Sequence, residues 1–174
     1  MIGKTMNLTL LKENDPQLSQ PSTPWDFEVD GDPTELVKEM VRVLTENGGV
    51  GLAAPQCGIN KTIFIMGNFT KMVVCINPKI VSLSEGRVTD VEGCLSFPEL
   101  WLKVPRAESC FVSYQNTSGE LVEDELTGMM ARVYLHEFDH LLGITFDQRV
   151  GEMKLKMAKE TRVKDLKKKS RASA

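Results

Sequence analysis

Apolar positions recur in two rhythms along the chain. Over residues 32–49, DPTELVKEMVRVLTENGG, Leu36, Val37, Met40, Val41 and Leu44 fall at helical spacing. Asp32 is placed to cap this helix, Pro33 to open its first turn, Glu35 to complete a capping box, and Gly48 and Gly49 to stop it. From 61 to 126 the rhythm shortens to apolar and β-branched runs, KTIFIMG, MVVCINPKIVSL, ESCFVSYQ and ELVEDELT, separated by Asn-Pro, Ser-Glu-Gly and Asn-Thr-Ser-Gly turns. These predict a largely antiparallel β region. Thr127 is then expected to cap a helix running through Leu142, with Gly143 as its stop, and a last amphipathic, basic helix is expected to begin near Gly151. The segment NDPQLSQPSTPW, residues 14–25, reads as irregular loop. Runs of strands flanked by helices, without βαβ alternation, predict an α+β fold.

Composition narrows the class. The chain has 174 residues, 41% hydrophobic and 26% charged, which fits one globular domain. No apolar run reaches the 18 or so residues of a membrane span, and the N-terminal MIGKTMNLTLLKENDPQL lacks the apolar stretch of an export signal. A cytoplasmic protein with no membrane contact is expected, its four cysteines, Cys57, Cys75, Cys94 and Cys110, held reduced. Charge is unevenly spread: residues 151–174 carry nine Lys or Arg against three acids, +6, so residues 1–150 hold −9 of the total −3. The expectation is a catalytic region over 1–150 with a basic C-terminal helix over 151–174 as part of the same domain.

Candidate chemistry centres on VYLHEFDHLLG, residues 133–143, which contains both histidines of the chain. On a helix, His136 and His140 stand one above the other, within reach of one metal ion, and Glu137 lies one step around. Met129, Met130, Val133, Tyr134, Leu135, Phe138, Leu141 and Leu142 make this helix apolar, so it should be buried, where unpaired imidazoles are costly. Asp139 is positioned to hold a histidine ring in its metal-binding tautomer. The competing reading is an HExxH string on a solvated face. A catalytic metal site ordinarily takes three protein ligands and a water, and with no third histidine the last ligand must be Cys, Asp or Glu. Cys94, in VEGCLSFP, is one candidate, although a cysteine in a β region is more often a small buried hydrophobe. The glycine-rich GGVGLAAPQCG, residues 48–58, matches neither a dinucleotide nor a P-loop fingerprint.

Taken together, three strings resemble the peptide deformylase family: Gly49-Val50-Gly51-Leu52-Ala53-Ala54-Pro55-Gln56, then Glu92-Gly93-Cys94-Leu95-Ser96, then His136-Glu137-Phe138-Asp139-His140. NDPQL, INP and VPRAE lie between and around them in family order. The resemblance implies the deformylase fold, antiparallel sheets around a central metal-binding helix with N- and C-terminal helices. It implies that Cys94, His136 and His140 bind one divalent ion, natively Fe²⁺ and replaceable by Zn²⁺, Ni²⁺ or Co²⁺. It further implies hydrolytic removal of formate from the N-terminal formyl-methionine of nascent polypeptides. Glu137 would move the proton, and Gln56 and the Leu95 N–H would stabilise charge on the formyl oxygen. Val50 and Gly51 would lie along the peptide, with Met129 and Val133 walling the methionine pocket. The chain departs from common family residues at Leu135 and Trp101. It departs also at Arg132, four residues before His136, where many relatives are apolar, which bears on the pocket's shape and polarity; Arg106 is placed to brace the cysteine loop through Glu92.

Two other classes compete. An HExxH zinc metalloprotease would take Glu152 or Glu160 as third ligand, leaving the Cys94 segment without a role. A metal-stabilised binding domain would use the basic tail on nucleic acid, but structural sites are normally closed by four protein ligands. Within the deformylase reading the tail is a candidate ribosome-docking helix.

Overall fold

A computed structural model of the chain describes residues 6–68 and 70–172. The first five residues, part of the N-terminal reading above, and the last two of the tail lie outside them. Helix α1 spans Thr34–Glu46. Pro33, not Asp32, occupies the N-cap position and brings no capping side chain; one residue further out, the Asp32 carboxylate accepts the N–H (2.9 Å) and the hydroxyl (2.6 Å) of Thr34. At its end the Asn47 amide donates to the Val43 carbonyl (2.8 Å), and Gly48, at φ +66°, turns the chain back in a conformation a side chain would oppose.

Seven strands follow: β1 Gly51–Ala53, β2 Ile63–Asn68, β3 Lys71–Leu83, β4 Arg87–Cys94, β5 Phe97–Ala107, β6 Ser109–Gln115 and β7 Leu121–Thr127. Five form an antiparallel sheet in the order β1-β2-β3-β6-β7, and β4 and β5 pair separately as a hairpin. Helix α2 spans Gly128–Leu141 and α3 spans Glu152–Ala172. The fold is α+β, as the sequence predicts. The supposed loop at 14–25 contains a short 3₁₀ turn, Pro16–Ser19, that buries Leu18.

Alternation along β2 explains why its sequence reads as an unbroken apolar run. Phe64 and Met66 join the cluster beneath α2, with Ala131, Val133, Tyr134 and Leu135. Ile63 and Ile65 face the other way, against Leu36, Met40, Val43 and Leu44 of α1. Each of these large side chains contributes roughly 1.5–3 kcal/mol when fully buried. The sheet is thus a middle layer between α1 and α2. A third cluster, Phe97, Leu100, Leu102 and Val104 of β5 with Leu18 and Phe146, carries the hairpin, and Leu155 and Ala158 dock α3 on it. None of the described helices is long and apolar enough to cross a membrane.

Two further expectations need correction. Thr127 occupies the residue ahead of α2 but its side chain makes no capping hydrogen bond. The tail helix is less amphipathic than expected, because only Leu155, Ala158 and Arg162 are half-buried and every other described residue of it is exposed.

Candidate metal centre

Because α2 packs against the sheet, the two histidines and the glutamate between them are taken out of water: His136, Glu137 and His140 are all buried. Their backbone spacing places the rings on one face, with centroids 5.1 Å apart. Gly143, at φ +70°, ends this helix as its position predicts.

The third donor arrives on the hairpin. Cys94 is the last residue of β4, half-buried and paired with Phe97 after an irregularity that follows Glu92. Its Sγ lies 3.3 Å from His140 Nε2, and the candidate ligand atoms of Cys94, His136 and His140 all lie within 4.8 Å of one another. Neither Glu152 nor Glu160 belongs to this group; both are exposed on α3. A thiolate with two imidazoles suits a borderline divalent transition ion rather than Mg²⁺ or Ca²⁺, and three protein donors leave a position open for reaction. The orientation of His136 fits that use. Its Nδ1 is 3.0 Å from Glu92 Oε2, which leaves Nε2 for a metal.

Glu92 is the hub of a buried ionic network that the motif spacing does not reveal. Arg106 forks onto both its oxygens (2.9 and 3.0 Å), as anticipated, and Arg132 adds a third guanidinium contact (2.7 Å). Burial alone would raise the Glu92 carboxyl, but hydrogen bonds from His136 and Arg106 outweigh it and hold the group at about 2. It therefore stays an acceptor. Asp139, expected to orient a histidine, instead takes Arg106 Nη1 (2.5 Å) and is paired with Arg149. It braces the helix, and Glu92 orients the ring. The signal that could have found Glu92 is the question of where a buried imidazole's second nitrogen goes.

The two rings differ electrostatically. Burial, with His136 and Arg106 nearby, holds His140 well below the usual imidazole range. For His136, burial also disfavours charge, but contacts with Cys94 and Glu92 outweigh it and push the ring up to about 10. Ligation of a metal at Nε2 would displace that proton.

Glu137 stands apart from the network. Burial pushes its carboxyl up to about 7, and Oε2 has no hydrogen-bond partner among the described residues. Gly51 makes room for it: a Cβ there would lie 2.4 Å from Glu137 Oε1. Gln56, in the 3₁₀ turn Ala54–Cys57, has its amide fixed end to end. The Ala53 N–H donates to Oε1 (2.9 Å), so Nε2 points to Cys94 Sγ (3.4 Å) and the buried Ser96 hydroxyl (3.2 Å).

Above these groups opens a cleft of about 590 Å³. Val50, Gly51, Met129 and Val133 line one side, Leu95 and Trp101 the other. Strand β1 is an edge of the sheet. The Val50 carbonyl accepts from Gly67 N–H (2.9 Å), so alternation turns the Gly51 polar groups toward the open edge; Val50 offers its exposed side chain instead. Trp101 is 63% exposed, its ring lying over Gly93, where a Cβ would come within 2.6 Å of it. Leu135 packs in the cluster beneath α2 and does not face the donors.

A family model described as polypeptide deformylase matches residues 7–156. This chain belongs to that family. A peptide deformylase of Thermotoga maritima is 42% identical over 120 residues, 69% of this chain and 73% of that protein. Among solved structures, a peptide deformylase from Synechococcus elongatus in complex with actinonin aligns with TM-score 0.84 and 33% identity, over 92% of this chain and 88% of that one. A Met-Ala-Ser-bound peptide deformylase from Acinetobacter baumannii aligns with TM-score 0.79 and 33% identity, over 84% of this chain and 100% of that one. Deformylases use a divalent metal, and the Cys/His/His group here fits one. The HExxH protease alternative is not favoured.

Proposed function

We propose that Cys94, His136 and His140 hold one divalent ion, Fe²⁺ in the native protein, and that the residues around it remove the formyl group from N-terminal formyl-methionine. The deformylase reaction is hydrolysis of an amide: water adds to the formyl carbon, the C–N bond breaks, and formate and a free amine result. A divalent ion in such a site lowers the pKa of a water and polarises a carbonyl oxygen.

The remaining work falls to side chains of this chain. Glu137 takes a proton from the attacking water and delivers it to the departing amine nitrogen, a role suited to a buried carboxyl poised near neutrality. Gln56 Nε2 and the Leu95 N–H donate to the formyl oxygen as it gains charge; removing a donor of this kind costs roughly 3 kcal/mol. The peptide lies as an added strand along the open edge at Gly51, with Val50 against it and the methionine side chain between Met129 and Val133. The observation that carries this reading is the convergence, within 4.8 Å, of three donor atoms from a hairpin and a helix beside the buried Glu137 carboxyl, whose Oε2 has no hydrogen-bond partner among the described residues.

Formate release from formyl-Met-Ala-Ser, with the Met-Ala and Ala-Ser bonds left intact, is the expected result; cleavage of those bonds with the formyl group retained would contradict it. A cytoplasmic location is in keeping with nascent chains as substrate, and α3 is suited to dock on the ribosome there. Lys154, Lys156, Lys164, Lys167 and Lys168 are exposed on it. Replacing Lys164, Lys167 and Lys168 with Glu should abolish cosedimentation with ribosomes, and unchanged cosedimentation would end that idea.

A further inference from the structure

Arg132 is a buried charge that neither the ligand set nor the proton path uses. Burying a guanidinium is expensive, and an apolar residue of similar volume is often no less stable at such a place. Its contacts show what it does. Nη1 donates to Glu92 Oε1 (2.7 Å) and to the Val104 carbonyl (2.8 Å), and Nη2 donates to the Val88 carbonyl (2.7 Å). One side chain on α2 thus grips the backbone of both hairpin strands and the carboxylate between them.

The donor set has the same division. Cys94 belongs to the hairpin, and His136 and His140 belong to α2, so the separation of thiol and imidazoles depends on how helix and hairpin are held together. Two polar clamps join them. Asp139, beside His140, is held by Arg106 of β5; Arg132, one turn before His136, holds β4 and β5. Arg132 also shares Glu92 with His136, whose Nδ1 takes the other oxygen. Arg106 links the same carboxylate to Asp139, beside His140, whereas Arg132 reaches it from the turn before His136.

We propose that Arg132 is a positioning residue for the metal centre, acting through Glu92 and the hairpin backbone to hold Cys94 at its distance from the two histidines and to fix the His136 ring. The inference rests on the assignment of Cys94, His136 and His140 as ligands. It makes Arg132 a determinant of how tightly the ion is kept.

The test uses the zinc-loaded full chain and follows zinc loss to excess chelator at a temperature well below unfolding, with near-ultraviolet circular dichroism as the check on fold. Arg132→Met should release zinc at least about 10-fold faster than the parent, in the range seen when groups that orient metal ligands are removed. Arg132→Lys, which keeps the charge but cannot make all three contacts, should fall between them; it also serves if the Met variant does not fold. Glu92→Gln should accelerate release too, and adding Arg132→Met to it should accelerate release by a smaller factor than Arg132→Met does alone, because part of the Arg132 effect runs through Glu92. Release at the parental rate from either folded Arg132 variant, or fully additive effects of Arg132→Met and Glu92→Gln, would overturn the proposal. If the parent chain itself holds no stoichiometric zinc, the ligand assignment has failed, which is a separate result.

Discussion

Glu137 and Glu92 show how burial assigns two carboxylates different work. Glu92 is surrounded by guanidinium groups and an imidazole N–H, so its pKa is held at about 2 and near neutral pH it can only accept. Glu137, equally buried but without such partners, is pushed up to about 7, where it can exchange a proton near neutral pH. Replacing Glu137 with Gln should leave the metal in place, since the thiol and imidazoles are untouched. The amide cannot accept a proton from water, so turnover should fall by at least about 10²-fold. Metal content and turnover measured on one sample decide this: near-normal turnover at full occupancy would remove Glu137 from the mechanism. The histidine pair and this glutamate were legible in the sequence because helical spacing brings them together locally. The partner of His136 was not, because Glu92 lies 44 residues away and meets it only through tertiary packing.

Among the elements, legibility followed the burial pattern. Strand β2 and helix α1 declare themselves through their apolar residues, whereas β4 buries a single residue, Glu92, and exposes or half-exposes the rest. Its sequence, RVTDVEGC, therefore has no apolar alternation to read, although it delivers the cysteine. Helix α3 was visible but its docking was not, since the contact is a narrow stripe of Leu155 and Ala158 reinforced by ion pairs. One of these joins Arg162 to Glu13 through two hydrogen bonds (2.8 and 3.1 Å), and a second joins Lys169 to Glu99. The hydrogen bond from Arg162, against the opposing effect of burial, holds the Glu13 carboxyl below its ordinary 4.5. A carboxyl whose folded value is depressed stabilises the folded state fully above the ordinary value and loses that contribution as pH falls through the folded one. Amide protection in α3, corrected for intrinsic exchange, should therefore decline below about pH 4.5 before that of α2. Glu13→Gln should show the lower protection already at neutral pH, and equal protection in both proteins at pH 7 would refute the role of the pair.

At the level of the whole molecule, the sheet, α1 and the hairpin cluster form a scaffold on which two independent elements meet at one point. The α+β class and all three motif segments could be read from the chain because each motif is a local string; that they converge could not be read from spacing, since Gln56, Cys94 and His136 are 38 and 42 residues apart in turn and are joined only by the fold. The central claim is that the hairpin cysteine, and no acid of the tail, completes the metal site. Metal per chain and formate release from formyl-Met-Ala-Ser, measured together on Cys94→Ala and Glu160→Gln, test it directly. The account predicts that Cys94→Ala binds well under one ion per chain and releases no formate, while Glu160→Gln matches the parent in both. Full metal in the Cys94 variant with loss of metal from the Glu160 variant would contradict it.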